Sequence, residues 1–129
     1  QRLQELNLII ENKGFDAFDF SNLNSRDFVY CDPPYLISTA SYNDGKRGYT
    51  GWDEKLESNL LNILDELNRN GIRFALSNVI KHKGKENHLL KEWSKSYNVY
   101  FLNYDYSNSN YQAKDRRKNS TEEVLITNY

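Results

Sequence analysis

Apolar residues recur along this chain in a few distinct rhythms, and each rhythm predicts an element. Leu56, Leu60, Leu61, Ile63, Leu64 and Leu67 make a wide stripe at helical spacing, with Asp53 placed to cap its start and Asn70-Gly71 to end it. Leu3, Leu6, Ile9 and Ile10 repeat that spacing near the beginning, with Gly14 as a stop, and predict an amphipathic opening helix. Shorter stretches read as strands. Phe15 to Phe20 (FDAFDF) alternates aromatic and acidic or small residues. Phe28 to Cys31 is a continuous apolar run of the kind expected at a central, parallel position. Ile72 to Asn78, Asn98 to Tyr104 and the closing EEVLITNY complete the strands. A basic loop after Asn78 is expected to lead into a helix around His88 to Ser96.

Strands alternating with helices predict an α/β fold with a mostly parallel sheet and right-handed crossovers. The last two strands have no helical pattern between them, which predicts a final antiparallel pair. The polar segment joining them, Asp105 to Ser120, is long for a hairpin loop and is therefore a candidate for function. No internal repeat or domain boundary is visible, so residues 1–129 read as one domain or as part of one.

Composition narrows the class. With 38% hydrophobic and 14% aromatic residues the chain can bury a core, and no apolar run reaches the roughly 18 residues that a membrane span needs. A cytoplasmic protein with no membrane partner is expected. One cysteine, Cys31, excludes an internal disulfide, and His82 and His88 lack zinc-type spacing, so no metal is expected. The net charge is −1, yet cations cluster: Lys46 with Arg47; Lys81, His82, Lys83 and Lys85; and Lys114, Arg116, Arg117 and Lys118. Each cluster taken alone is solvated loop charge unless a partner motif accompanies it. The chain starts at Gln1 and holds no methionine, which leads us to expect a portion of a longer protein with material upstream.

The sequence places its only two prolines together, in FVYCDPPYL, at the end of an apolar strand. Ligands of open α/β sheets bind at the carboxyl edge of the strands, and Asp32 lies just past such an edge. Each proline fixes its own φ and pushes the residue before it toward extended backbone, so Asp32 and Pro33 are held in a rigid turn. Two backbone donors are also lost, leaving a carboxylate beside main-chain carbonyls that can only accept hydrogen bonds. That arrangement suits the gripping of an amino group, and Tyr35 suits stacking on the planar ring that bears it. The chemistry calling for both is methylation of an exocyclic base amine. Acceptors on its two hydrogens draw the nitrogen toward tetrahedral geometry and free its lone pair for in-line attack, so that positioning and electrostatics carry the catalysis.

These residues resemble the Dam-type adenine-specific DNA methyltransferases, which are also found in restriction–modification systems. The likeness runs from about Phe15 to the end and rests on FDFSNL, DFVYCDPPY, SYNDGKRGYTGW, FALSN and SNSNYQAKDRRKNSTEEVLITNY. It implies a Rossmann-like methyltransferase sheet, S-adenosylmethionine as cofactor, and double-stranded DNA with a flipped adenine as substrate. A cognate restriction endonuclease acting on the same site is a further implied partner, in a bacterial or phage cell. By the same resemblance Asp32 and the Pro33 carbonyl hold the adenine amine, Pro34 braces the turn, and Tyr35 stacks on the base. Asp19 and Phe20 are implied to contact the adenine of the cofactor. Tyr42, Lys46 and Arg47, and Arg116, Arg117 and Lys118, are implied DNA contacts, chiefly to phosphates. Asn78 either lines the pocket or caps a strand end.

The family's aromatic-x-Gly-x-Gly cofactor loop and its target-recognition insert are both missing from this sequence, which is therefore expected to be the carboxyl-terminal catalytic portion, inactive as an isolated piece. GKRGYTG lacks the signature of a phosphate loop and reads as a mobile loop over the substrate. Two alternatives stay open at this stage: methylation of the 4-amino group of cytosine, and, for the piece alone, a non-catalytic DNA-binding module.

Overall fold

The computed structural model describes residues 7–37, 51–102 and 121–129. Its regular elements in chain order are β1 (Phe28–Cys31), α1 (Glu54–Arg69), β2 (Arg73–His82), β3 (Lys85–Glu86), α2 (His88–Ser94), β4 (Asn98–Phe101) and β5 (Thr121–Thr127). Two 3-10 turns, Phe15–Ala17 and Phe20–Asn22, precede β1.

The helix α1 forms where the apolar stripe predicts it, and both ends are closed by local chemistry. Asp53 accepts the Leu56 amide at 2.9 Å, an N-cap. At the other end Ile72 N–H reaches the Leu67 carbonyl at 2.9 Å and Gly71 N–H that of Asn68 at 3.1 Å. With Gly71 at φ 72° this is a Schellman ending, which a residue bearing a Cβ would adopt only with strain. The buried stripe of α1, Leu60, Leu61, Leu64 and Leu67, packs with Phe74, Leu76 and Ile80 of β2, Val124 and Ile126 of β5, and Leu90 of α2. A second clasp joins the helices: Asp65 accepts from the Trp93 indole at 2.8 Å and the Tyr97 hydroxyl at 2.6 Å.

The sheet order is β1-β2-β5-β4, with β3 folded back on β2. Here the expectation of a mostly parallel sheet needs correction. Only β1 and β2 pair in parallel, whereas the β2·β3, β2·β5 and β4·β5 pairings are antiparallel. The strands β1, β2 and β4 point the same way, but β5 inserts between β2 and β4 in the opposite sense and converts both of its neighbours' ladders. The antiparallel final pair is present as β4·β5. Phe28–Cys31 is parallel as expected, but in the described sheet it is an edge strand, and Phe28 and Tyr30 are 51% and 59% exposed.

The segment before β1 departs further from the sequence pattern. Residues 7–14 are not helical, and Leu8, Ile9 and Ile10 are exposed. Leu3 and Leu6 lie outside the described residues. A short helix is stabilised by the surface its stripe packs on, and among the described residues Leu8, Ile9 and Ile10 are not packed against the core. FDAFDF is not a strand either: it holds one 3-10 turn, Phe15–Ala17, and leads into a second, Phe20–Asn22. Asp19 caps the second 3-10 turn by accepting from Ser21, a local bond that competes with a ladder. Phe15 meets Trp52 with centroids 5.5 Å apart, and Phe18 meets Phe20 at 4.8 Å. The basic loop expected after Asn78 is also absent, because β2 continues through Lys81-His82 and returns as β3.

Candidate active site

The Asp32-Pro33-Pro34-Tyr35 turn leaves the carboxyl end of β1, where Cys31 pairs with Leu76 of β2. Asp32 is exposed; Pro33, Pro34 and Tyr35 are half-buried. The Tyr35 hydroxyl donates to Asp32 Oδ1 at 3.5 Å, the long limit of a hydrogen bond, so the carboxylate keeps acceptor capacity for a ligand. Burial holds the Tyr35 phenol above its usual pKa, and the carboxylates of Asp32 and Glu123 add to this, while a hydrogen bond with Ser77 works the other way. The phenol is therefore neutral at physiological pH.

Ser77 is a site residue that the sequence did not single out. Phe74 and Leu76 of β2 belong to the helix-facing core, and by strand alternation Ser77 faces the opposite side, where Tyr35 lies. In a strand otherwise buried from Phe74 to Ile80 it alone is half-open. The same alternation resolves Asn78. Its side chain points into the helix layer, donating to Glu57 Oε1 at 3.1 Å and accepting the Val79 amide at 2.7 Å. It neither lines the pocket nor caps a strand end; β2 runs on past it, with a register irregularity between Val79 and Lys81.

Glu57 is the centre of this buried cluster. Asn87 donates to its Oε2 at 2.8 Å and, through its own carbonyl oxygen, caps α2 at the Leu90 amide at 3.0 Å. Burial raises the Glu57 pKa, and the two asparagines oppose that rise. The buried Trp52 indole N–H also bears on this carboxylate, but it stops short of hydrogen-bond geometry.

Asp19 and Phe20 stand beside two clefts. Asp19 Oδ1 accepts from the Ser21 amide at 3.0 Å and from its hydroxyl at 2.6 Å, and these bonds lower its pKa. The carboxylate is exposed and charged, with Oδ2 free of both contacts. One cleft, of about 540 Å³, is lined by Asp19, Phe20, Ser21, Glu66 and Asn70 among others. The other, of about 490 Å³, is apolar and runs along β1 from Phe28 to Cys31, with Phe15, Phe18 and Phe20 opposite. Phe20 borders both, and Cys31, the residue before Asp32, closes the second. The Phe20 ring and the Asp19 carboxylate thus offer an apolar face and a charged acceptor side by side, and the apolar cleft continues along β1 to Cys31. Burial pushes the Cys31 thiol up to about 11, so it packs there as a neutral group.

The structure thus brings Asp32, Pro33, Pro34 and Tyr35 together at one strand end, with Asp19 and Phe20 on the rim of the adjoining clefts. Tyr42, Lys46 and Arg47, and Arg116, Arg117 and Lys118, lie outside the described residues, as do Gly45 and Gly48 of GKRGYTG. Among the described residues no group of three or more His, Cys, Asp or Glu side chains could hold a metal ion, and no helix is long and apolar enough to cross a membrane.

Comparison with known proteins accords with this geometry. The chain is 54% identical over 130 residues to Modification methylase StsI of Streptococcus sanguinis, covering 99% of this chain and 19% of that protein. It is 52% identical over 129 residues to Type II methyltransferase M.FokI of Planomicrobium okeanokoites, covering 100% and 20%. With Modification methylase LlaI of Lactococcus lactis subsp. lactis it shares 44% identity over 115 residues, 89% and 17% of the two chains. It spans about a fifth of the length of these relatives. Residues 1–121 match the model of one family, and with the strand-end acid and tyrosine in place the chain belongs to the D12 class N6 adenine-specific DNA methyltransferases.

Proposed function

We propose that the chain is the catalytic portion of a site-specific DNA methyltransferase that transfers a methyl group from S-adenosylmethionine to the 6-amino group of adenine in duplex DNA. The observation that carries this reading is the exposed Asp32 carboxylate set beside the half-buried Tyr35 ring at the carboxyl edge of β1, in a chain of the D12 class. Family membership supports a Rossmann-like sheet, of which β1, β2, β4 and β5 would be one part. The names of its relatives, modification methylases and a Type II methyltransferase, support a place in a restriction–modification system, with a cognate endonuclease acting at the same sequence.

In this mechanism Asp32 and the Pro33 carbonyl accept the two amine hydrogens of a flipped adenine, and Pro34 keeps both acceptors fixed. A charge-assisted hydrogen bond of this kind contributes about 1.5–3 kcal/mol, and stacking on Tyr35 about 1–3 kcal/mol. Together they offset the few kcal/mol that removal of the base from the duplex costs. Pulled toward tetrahedral geometry, the nitrogen presents its lone pair along the line of attack. S-adenosylmethionine, when bound, supplies an electrophilic methyl group on a sulfonium centre. Phe20 and Asp19 would hold its adenine, and the apolar wall of β1 would keep water from the transfer path. Arg116, Arg117, Lys118, Tyr42, Lys46 and Arg47 are proposed to hold the duplex. As the N–C bond formed and the methyl group's bond to sulfur broke to leave a neutral thioether, the Asp32 carboxylate would stabilise the positive charge on the nitrogen, which would then lose one of its hydrogens as a proton to solvent.

The test is transfer of labelled methyl to unmodified DNA by the complete protein, followed by digestion to nucleosides. Label in 6-methyladenine that is lost in Asp32→Ala is the expected result. Label in 4-methylcytosine would move the enzyme to the other base, and unlabelled DNA would sink the reading.

A further inference from the structure

The strand β2 does not stop where its neighbour does. Cys31 at the end of β1 pairs with Leu76, whereas β2 runs on to His82, about 20 Å farther at the rise of a strand. It then folds back into β3, with Lys81 opposite Glu86 and His82 opposite Lys85. The connecting residues are Lys83 at φ 49° and Gly84 at φ 79°, the two left-handed conformations of a tight type I′ hairpin. His82, next to the turn, pairs with Thr121 of β5, and its Nδ1 lies 2.6 Å from the Thr121 hydroxyl, which ties the ribbon to the sheet close to its tip. What the sequence suggests is a basic loop is thus a braced arm.

Its charges are unevenly matched. Lys81 pairs in register with Glu86 on one side and Glu122 on the other. Glu86 is itself bridged to Lys91 and approached by His88. Lys83 and Lys85 are exposed, and neither has an acidic partner among the described residues. Because the whole chain carries a net charge of −1, this unpaired positive charge is a local feature and not a reflection of composition.

Direction gives the arm a use. The strands β1 and β2 are parallel, so the ribbon leaves the same edge of the sheet as Asp32 and Tyr35 and extends beyond them toward incoming ligand. A duplex with one base inserted at Asp32 would lie outside that edge, alongside the ribbon. The ribbon's neighbour Thr121 is also the residue into which the basic sequence Arg116-Arg117-Lys118 leads.

We propose that the β2–β3 ribbon is a DNA-backbone contact, with Lys83 and Lys85 on phosphates up to about six base pairs from the target adenine at 3.4 Å per step. The assignment rests on the proposed function and deepens it. Lysines in a fixed hairpin neutralise phosphate without reading sequence, so the ribbon sets the placement of the duplex and leaves specificity to other parts of the protein.

The test uses the complete methyltransferase carrying Lys83→Asn and Lys85→Gln. Asparagine tolerates the left-handed backbone at residue 83, so loss of the turn does not confuse the result. Two lost phosphate contacts should flatten the slope of log affinity against log salt by about 1.8. KM for DNA should rise at moderate salt while kcat at saturating DNA stays unchanged, and Lys83→Arg with Lys85→Arg should retain the wild-type slope. An unchanged slope and KM in an enzyme that still methylates adenine overturns the ribbon assignment alone. A wild-type protein with no affinity for DNA overturns both the ribbon assignment and the function on which it rests.

Discussion

The two sides of this molecule are built on opposite terms. The side made by α1, β2, α2 and β5 is closed: Leu64, Phe74, Leu76, Leu90, Val124 and Ile126 have no exposed surface, and even its buried carboxyl group, Glu57, is held by two asparagines. The side made by residues 7–37 is open, with turns in place of long elements, no fully buried residue, and Phe18, Phe28 and Tyr30 facing solvent. The groups proposed to carry the chemistry, Asp32, Tyr35, Asp19 and Phe20, all stand on the open side. The closed side supplies rigidity through one strand pair, β1 on β2, and its edge is where the two meet. Function and stability should therefore be separable by mutation.

The largest effect expected is on chemistry. Asp32→Ala should lower turnover by about 10²–10³-fold, the cost of losing one preorganised electrostatic contact, and leave the unfolding midpoint unchanged because the carboxylate is exposed. Turnover with duplex DNA and a thermal melt on the same preparation check both halves of that statement. The converse is Leu64→Ala, which empties a fully buried position and should cost about 2–5 kcal/mol in urea unfolding while kcat of the folded fraction stays near wild type. A variant that moved both quantities equally would break the separation.

Legibility follows the same division. The helix α1 could be read because everything that makes it is local: a stripe, an N-cap at Asp53 and a glycine ending at Gly71. The turn at Asp32 could be read because proline constrains backbone independently of its surroundings. The order of strands could not, since the insertion of β5 between β2 and β4 is decided by pairing across the chain and leaves no mark in the alternation of either. Phe15 to Phe20 alternates as a strand does, yet Asp19 finds a nearer partner in Ser21 and the backbone turns. The ribbon was hidden for a different reason: Lys81 to Glu86 has no apolar alternation, and its pairing is set by a Lys-Gly turn that reads as a loop. For Ser77 and Asn78 the signal was present. Counting by twos from Phe74 and Leu76 places Asn78 in the core and Ser77 on the face of Tyr35.

Glu57 offers a sharper probe of the closed side, through pH. Its folded pKa is raised by burial above the ordinary carboxylate value, so between the unfolded and folded pKa values the native state holds more protons than the unfolded chain. Its contribution to stability is therefore greatest below the unfolded value near 4.5 and falls as pH rises toward the folded value. Glu57→Gln removes the titration and should flatten that part of the profile. It should also cost about 1–3 kcal/mol across the range, because the carboxamide nitrogen only donates and cannot accept from Asn78 or Asn87 as both carboxyl oxygens can. Urea unfolding from pH 4 to pH 7 distinguishes the two effects: a parallel offset with no change in slope would show that Glu57 does not titrate with folding.

The smallest effect separates two residues with the same local job. Asp53 and Asp19 each accept a backbone amide at the start of a helical turn, Leu56 at 2.9 Å and Ser21 at 3.0 Å. Asp53 begins a helix of 16 residues whose stripe is the core, so Asp53→Ala should cost about 1 kcal/mol of global stability and leave KM for S-adenosylmethionine unchanged. Asp19 begins a turn of three residues with none buried, and its loss has nothing cooperative to propagate into. Asp19→Ala should leave the unfolding midpoint where it was and raise KM for S-adenosylmethionine by about tenfold, the loss of one hydrogen bond from a charged acceptor. Equal stability losses in the two variants would mean that the open side is as tightly coupled to folding as the closed one. An unchanged KM in Asp19→Ala would remove Asp19 from the cofactor site while leaving Asp32 untouched.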